Sequence, residues 1–482
     1  MTPYILVIDI GTTSTKAVAF ATDGTLVARA SQEYELLSPQ PNFKEQDPAD
    51  IVQAVKTAAG QTVQKCGCAP FAISWSSAMH SIIAIDEDGT PLTNSIIWAD
   101  GRSQSYADEL RETALGDQLY KQTGTPIHPM SPLCKLAWLR DHQPNIFQQA
   151  TRFISIKEYI IWQWTGEYIV DESIASASGL YDIRARKWAA RALAYAGIQE
   201  EQLSKVVPTT QQLPPLKKEV ADYLKVNINI PHIISGSDGC VANLGAGINK
   251  KGEAALSIGT SGAIRISATQ PITSTQAYLF NYIIDNEQYA IGHATNNGGV
   301  THEWLRETIV LEKNVNDIEV GAEALLFLPY LLGERAPVWS TNAKAAFIGL
   351  QKKHTEAHLQ RAVLEGIAFN LYQLLQEIEE ATGAVEIIYA SGGYTQNESG
   401  MQIIADVFNK MIHLQAHEEG TAWGAAILAM KTLDINYADD KGQSVRSYSP
   451  DLSNHEKYNT LYNIWRKLYE QLADTFADLS RF

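Results

Sequence analysis

Ile8-Asp9-Ile10-Gly11-Thr12-Thr13-Ser14 ends one apolar run and opens onto another. A close copy, Leu256-Ser257-Ile258-Gly259-Thr260-Ser261-Gly262, lies 248 residues further on, about half the chain away. Each copy stands between two strand-like runs. Gly11 and Gly259 permit turns that expose backbone N–H groups, and hydroxyl side chains come directly after both. The repeat predicts two halves, each presenting a glycine–hydroxyl turn to a phosphate chain.

The residues after the first turn decide its type. Residues 3–10 and 15–21 read as strands, and Asp23-Gly24 turns the second into Leu26–Ser31, a strong hairpin signal. No helix opens at the glycine, which excludes a P-loop and a dinucleotide-binding turn. In the first copy, Thr12, Thr13 and Ser14 add hydroxyls and Lys16 a cation. Asp9, at the strand end, suits a contact to Mg²⁺ through water, since that ion keeps several waters. A polar hairpin with a structural Asp is the competing reading. The second copy has Ser257 where the first has Asp9, as an unequal clamp on Mg-ATP would.

The chain has 482 residues, 45% hydrophobic and 19% charged, so two large soluble domains are expected, with a boundary near 247–252. A net charge of −16 argues against nucleic acid and anionic membrane as partners. Asp9 interrupts the first apolar run, which reads as a buried strand rather than a signal peptide. Cys66, Cys68, Cys134 and Cys240 lack zinc-site spacing, and free thiols in a reducing cytoplasm are expected. Cys240 reads as a small buried residue at a helix start.

Further elements place the other motifs. Helices are expected over 48–64, with Asp47 as N-cap, and over about 355–382, where Leu359, Val363, Ile367, Leu371, Leu374 and Ile378 keep a 3.6-residue rhythm. Residues 103–200 read as mostly helical, Gly420–Lys431 as a close-packing small-residue helix, and 454–478 as one helix. Asp238 comes after the strand His232–Ser235, in a Gly/Ser-rich turn. It reads equally as a general base or as an N-cap. Ser391-Gly392-Gly393-Tyr394 is a third glycine turn, one that would let a flat base approach the backbone. Met79-His80, Trp98, Arg102 and His128-Pro129-Met130 gather at strand ends and loops of the first half, as a substrate pocket would.

These residues resemble the FGGY carbohydrate kinases, of the wider actin, hexokinase and heat-shock chaperone superfamily. Met130-Ser131-Pro132-Leu133-Cys134-Lys135 through Trp138-Leu139-Arg140-Asp141-His142 fits one long family pattern. Ala345 through Phe347, Gly349-Leu350, His358-Leu359 and Ala362-Val363-Leu364-Glu365 fit a second. The resemblance implies an α/β chain of two ribonuclease-H-like domains, 1–247 and 248–482, with ATP and sugar in an interdomain cleft. It places Asp9 near Mg²⁺, and Gly11, Thr12, Thr13, Ser14 and Lys16 at the phosphates. Gly259, Thr260 and Ser261 would meet the phosphates from the second domain, with Gly299, Gly392, Gly393 and Asn397 on the nucleotide. Asp238 would be the catalytic base and a substrate contact, and Met79, His80, Trp98 and Met130 would line the sugar pocket.

Met79-His80 is similar to the xylulokinase pocket. Thr123 through Leu133, Asn296-Asn297-Gly298-Gly299 and Gly333-Glu334-Arg335-Ala336-Pro337 look like the gluconokinases of this family. The favoured reaction is ATP-dependent phosphorylation of D-gluconate at its 6-hydroxyl. The alternatives are a xylulokinase or other pentulose kinase and, more distantly, an actin- or chaperone-like ATPase. Gluconate's carboxylate would need His80, Arg102 or His128, unless Arg102 pairs with Asp100 or Asp108. A cytoplasmic enzyme is expected, and the resemblance allows a homodimer.

Overall fold

The computed structural model describes residues 3–248, 250–274, 278–415, 419–437 and 446–481. The expected boundary at 247–252 includes residue 249, outside the described residues. The chain forms two compact units, and neither is one continuous stretch. The first takes residues 1–247, 268–291 and 419–440, and the second takes 248–267, 292–418 and 441–482.

In the first unit Tyr4–Ile10 lies at the centre of a five-stranded sheet. It pairs antiparallel with Ser14–Ala21 and parallel with Ala72–Ser77, which pairs parallel with His232–Ile233. Ser14–Ala21 continues antiparallel to Leu26–Glu33, the hairpin that Asp23-Gly24 predicts. Alternation along the central strand feeds two cores. Tyr4, Leu6 and Ile8 pack with Ile51, Val55 and Ala58 of the helix Pro48–Cys66. Ile5 and Val7 pack with Val241, Ala422 and Trp423. Asp9 continues the alternation of Ile5 and Val7, on the face covered by the helices Asp238–Gly245 and Gly420–Thr432. Those two helices touch backbone to backbone. A Cβ on Gly424 would lie 1.8 Å from the Val241 carbonyl oxygen, and one on Gly245 would lie 1.9 Å from that of Gly420.

The second unit repeats the pairing. Glu253–Ile258 pairs antiparallel with Gly262–Ala268 across the second glycine turn, and parallel with Ile387–Ser391. The latter pairs parallel with Met411–Leu414, which is antiparallel to Arg446–Tyr448. The helix Glu356–Thr382 buries Val363, Ile367, Leu371, Leu374 and Ile378 of the predicted stripe, but leaves Leu359 half-buried and is buried on all sides from Arg361 to Leu371. Thr355 and His358 form its capping box.

Two expectations are corrected. The last helix is two, Leu452–Trp465 and Leu468–Leu479, broken at Arg466-Lys467 without a glycine or proline. The helical region 103–200 also holds short strands, Arg152–Ile154, Ile169–Asp171, Tyr181–Asp182 and Lys187–Trp188. Among the described residues no helix is long and apolar enough to cross a membrane.

Candidate active site

The first glycine turn is held from within. Tyr34 donates its hydroxyl to the Gly11 carbonyl (2.7 Å), and its N–H bonds the Thr13 carbonyl (3.1 Å). The Gln46 amide donates to the Thr12 carbonyl (2.5 Å). Three carbonyl oxygens that would repel an anion are thus engaged by the protein. The turn itself is closed by Gly11 N–H to Ser14 O, 3.0 Å, and a Cβ on Gly11 would approach that oxygen to 2.9 Å. Thr13 is exposed, and Thr12 and Ser14 are partly so.

Asp9 sits beside this turn, directly across the sheet from Lys16. Its Oδ1 is buried and has no hydrogen-bond partner within bonding geometry among the described residues. Burial, and then the charge of Asp238, push its pKa up to about 6 against the pull of the Ser76 hydroxyl and of Lys16. An orphaned carboxylate oxygen beside a second carboxylate is a cation-ready arrangement. Among the described residues no three His, Cys, Asp or Glu side chains group as metal ligands. The donor set therefore fits Mg²⁺ held mainly by water and phosphate, and does not fit a metal caged by protein. Lys16 is not idle here. Its ammonium pairs with Glu419 at 2.9 Å, and Glu419 also takes Arg29 at 3.3 Å.

Asp238 is the first residue of its helix, and Ser237 occupies the N-cap position, so the N-cap reading of Asp238 is corrected. Its Oδ1 accepts from the Gly239 N–H at 2.6 Å. The turn before it is rigidly supported. The buried Lys157 ammonium reaches Asp171 (2.7 Å) and the carbonyls of Ser235 (3.2 Å) and Gly236 (3.1 Å). The Ser173 hydroxyl bonds the Ser237 N–H at 3.0 Å. Ser235 has φ of 55°, a left-handed conformation that needs such support. Cys240 is fully buried, as expected.

The strand-end residues gather in this same unit. Trp98 donates its indole N–H to the Thr12 hydroxyl at 3.0 Å, so a pocket candidate touches the phosphate-turn candidate directly. His80 is buried with φ of 70°. Its Nδ1 faces the Ala177 carbonyl at 2.7 Å, which makes Nδ1 the donor. Tyr282 OH lies 3.4 Å from the other nitrogen. His128 Nδ1 accepts from the Met130 N–H at 3.2 Å, the opposite tautomer. Met79 is half-buried and Met130 buried. Arg102 is committed elsewhere. It grips both oxygens of Asp100 and one of Glu45, and it stacks 3.9 Å from the Phe43 ring centroid.

In the second unit three glycine segments meet. Gly299 N–H bonds the Gly259 carbonyl (2.7 Å), and Gly298 N–H bonds that of Thr260 (3.0 Å). Side chains at Gly298 or Gly392 would collide with backbone, at 2.5 Å from Ser261 O and 2.3 Å from Ile258 O. By contrast, a Cβ on Gly259 or Gly393 would meet nothing within 4 Å. The result is a bare backbone cradle with open space above two of its glycines. Asn397 caps the helix Glu398–Phe408 through Gly400 N–H and lies 3.4 Å from His302. The fully buried Glu334 carboxylate holds the loop into this cradle through Thr295 and Asn296 N–H.

Sequence reading missed the supporting residues Tyr34, Gln46, Lys135, Lys157 and Glu334. Lys157, beside Glu158 in Ile156–Ile161, reads as part of a solvated charged pair and carries no signal of burial. Tyr34 and Gln46 carry none, since only folding brings them to the turn.

The comparisons with known proteins bear on the fold and the family. Residues 4–245 match the N-terminal domain of the FGGY family of carbohydrate kinases, and residues 254–433 match its C-terminal domain. A gluconokinase of Bacillus subtilis (strain 168) is 38% identical over all of this chain and 98% of its own length. A crystal structure of gluconate kinase from Lactobacillus acidophilus superposes with a TM-score of 0.95 at 33% identity, covering 99% of this chain and 100% of that one. A ligand-bound xylulose kinase structure from the same species gives the same TM-score, identity and coverage. The fold and these matches define a two-domain phosphotransferase of the actin and hexokinase type with an alcohol group as acceptor. The chain belongs to the FGGY family of carbohydrate kinases.

Proposed function

We propose that the protein transfers the γ-phosphoryl group of ATP to the 6-hydroxyl of D-gluconate. The observation that carries this reading is the bond from Trp98 to Thr12. It makes the strand-end pocket continuous with the phosphate turn, as phosphoryl transfer to a bound alcohol requires. Asp238 takes the proton from the attacking hydroxyl, a role worth typically about 10²–10⁴-fold. The first turn holds phosphate oxygens through N–H and hydroxyl groups, with Asp9 beside Mg²⁺. Mg²⁺, when bound, would neutralise charge on the phosphates. The cradle of Gly259, Thr260, Ser261, Gly299, Gly392 and Gly393, with Asn397, receives the nucleotide.

The 38%-identical gluconokinase supports gluconate. With Arg102 engaged by Asp100 and Glu45, the carboxylate falls to His128, whose Nε2 carries the proton, and to His80 only when its imidazole is protonated. Xylulose is the second reading, favoured by Met79-His80 and by the equal likeness to a xylulose kinase structure. A coupled ADP-release assay over gluconate, xylulose, ribulose, fuculose and glycerol separates them. Gluconate should give the highest kcat/KM. A clear preference for a ketopentose would overturn the gluconate assignment and leave the kinase class intact.

A further inference from the structure

We propose that Lys135 is a positioning residue for the sugar pocket, tying together the three chain segments that carry His80, Trp98 and Met130. Its ammonium donates to the carbonyls of His80 (2.6 Å), Ile97 (2.7 Å) and Met130 (2.8 Å), with that of Ile96 at 3.3 Å. His80 and Ile97 lie 55 and 38 residues from Lys135 in sequence, and Met130 lies 5 residues before it. Lys135, on the helix Pro132–His142, contacts all three. An ammonium has three protons, and here each finds a carbonyl from a different segment. The inference rests on the pocket proposed above.

The energetics bear on geometry as well as on stability. Lys135 is completely buried, and burial pushes its pKa down to about 7. An apolar side chain of similar length would fill the same space but leave the carbonyls of His80, Ile97 and Met130 without their donor, which costs stability as well as alignment. What the ammonium adds is a fixed relation between three carbonyls. The relation is demanding at His80, whose φ of 70° is strained for a residue with a Cβ. Its carbonyl is held by Lys135 and its ring by Ala177, so the imidazole is aimed from both ends.

Lys135→Met is the first test, assayed with the sugar that the unmutated enzyme turns over fastest. Misplacement by about 1 Å costs on the order of 100-fold. The sugar kcat/KM should fall by about that factor, while ADP affinity measured by calorimetry changes less than about twofold. Unchanged sugar kinetics in a folded variant, or an equal loss of ADP affinity, would overturn the inference. If the variant does not fold, the unmutated enzyme decides through the ¹⁵N–¹H signal of the Lys135 ammonium. That signal should shift when the sugar saturates and stay in place with ADP alone. No shift with sugar, or the same shift with ADP, rejects the role. Absence of turnover with every sugar would instead reject the kinase reading, and this inference with it.

Discussion

Asp9 is held ionised at neutral pH at a cost to stability. Its folded pKa of about 6 lies above its unfolded value of 3.8. A group raised in this way favours folding below pH 3.8 and loses that contribution as the pH rises through 6. At neutral pH the ionised Asp9 is therefore a net cost, roughly 2–3 kcal/mol for a shift of this size. Asp9→Asn should raise Tm at pH 7.5, and the gain should shrink as the pH falls towards 4. The same variant should have lost most kinase activity. A Tm at or below that of the unmutated protein at pH 7.5 would remove the argument. Asp238→Asn should lower kcat by about 10²–10⁴-fold with ATP binding preserved, because it removes the base and leaves the phosphate turn alone. Near-normal turnover would rule out the base. Asp238 is also the charge next in importance to burial in raising Asp9, so the two aspartates form one electrostatic unit.

At the scale of elements, glycines mark two different needs, and substitution separates them. Gly424 lies where the helix Gly420–Thr432 crosses the helix that begins at Asp238, with no room for a Cβ. Gly424→Ala should cost about 1–3 kcal/mol or more, as overpacking does, and should also lower kcat by shifting the Asp238 helix. Gly259 has open space instead. Gly259→Ala should leave Tm within about 1–2 °C, in keeping with the small effects of uncongested substitutions, yet raise the KM for ATP severalfold. Unchanged ATP kinetics would take the nucleotide away from that turn. Sequence spoke clearly for elements with local causes. Asp23-Gly24 fixes its hairpin through two residues, and the stripe on Glu356–Thr382 needs only a period. The break at Arg466-Lys467 has no breaker residue, so the pattern there continues while the backbone does not. Lys135 and Lys157 were missed as supports because a lysine reads as surface until the carbonyls that surround it are brought from afar.

At the scale of the whole molecule, one pairing pattern is used twice: a central strand, an antiparallel partner across a glycine turn, and a later parallel strand. The repeated turn was legible because it is local. The assignment of 268–291 and 419–440 to the first unit was not, because it depends on contacts over hundreds of residues. Net charge acts at this scale too. The protein carries −16, and its proposed substrate is an anion. Near the pocket the cation Arg102, with a Lys135 whose pKa burial lowers to about 7, stands against the carboxylates Asp100 and Glu45, and Asp9 and Asp238 add further negative charge. No local positive field among these groups then offsets the global one, and approach of gluconate should be opposed at low ionic strength. Raising salt from about 0.01 M to about 0.15 M shortens the screening length from about 30 Å to about 8 Å. At saturating ATP, kcat/KM for gluconate should rise over that range, while a neutral sugar such as xylulose should respond little. A fall with salt would mean that the site attracts the carboxylate from a distance, and would return Arg102 or a protonated His80 or His128 to the role of its electrostatic guide.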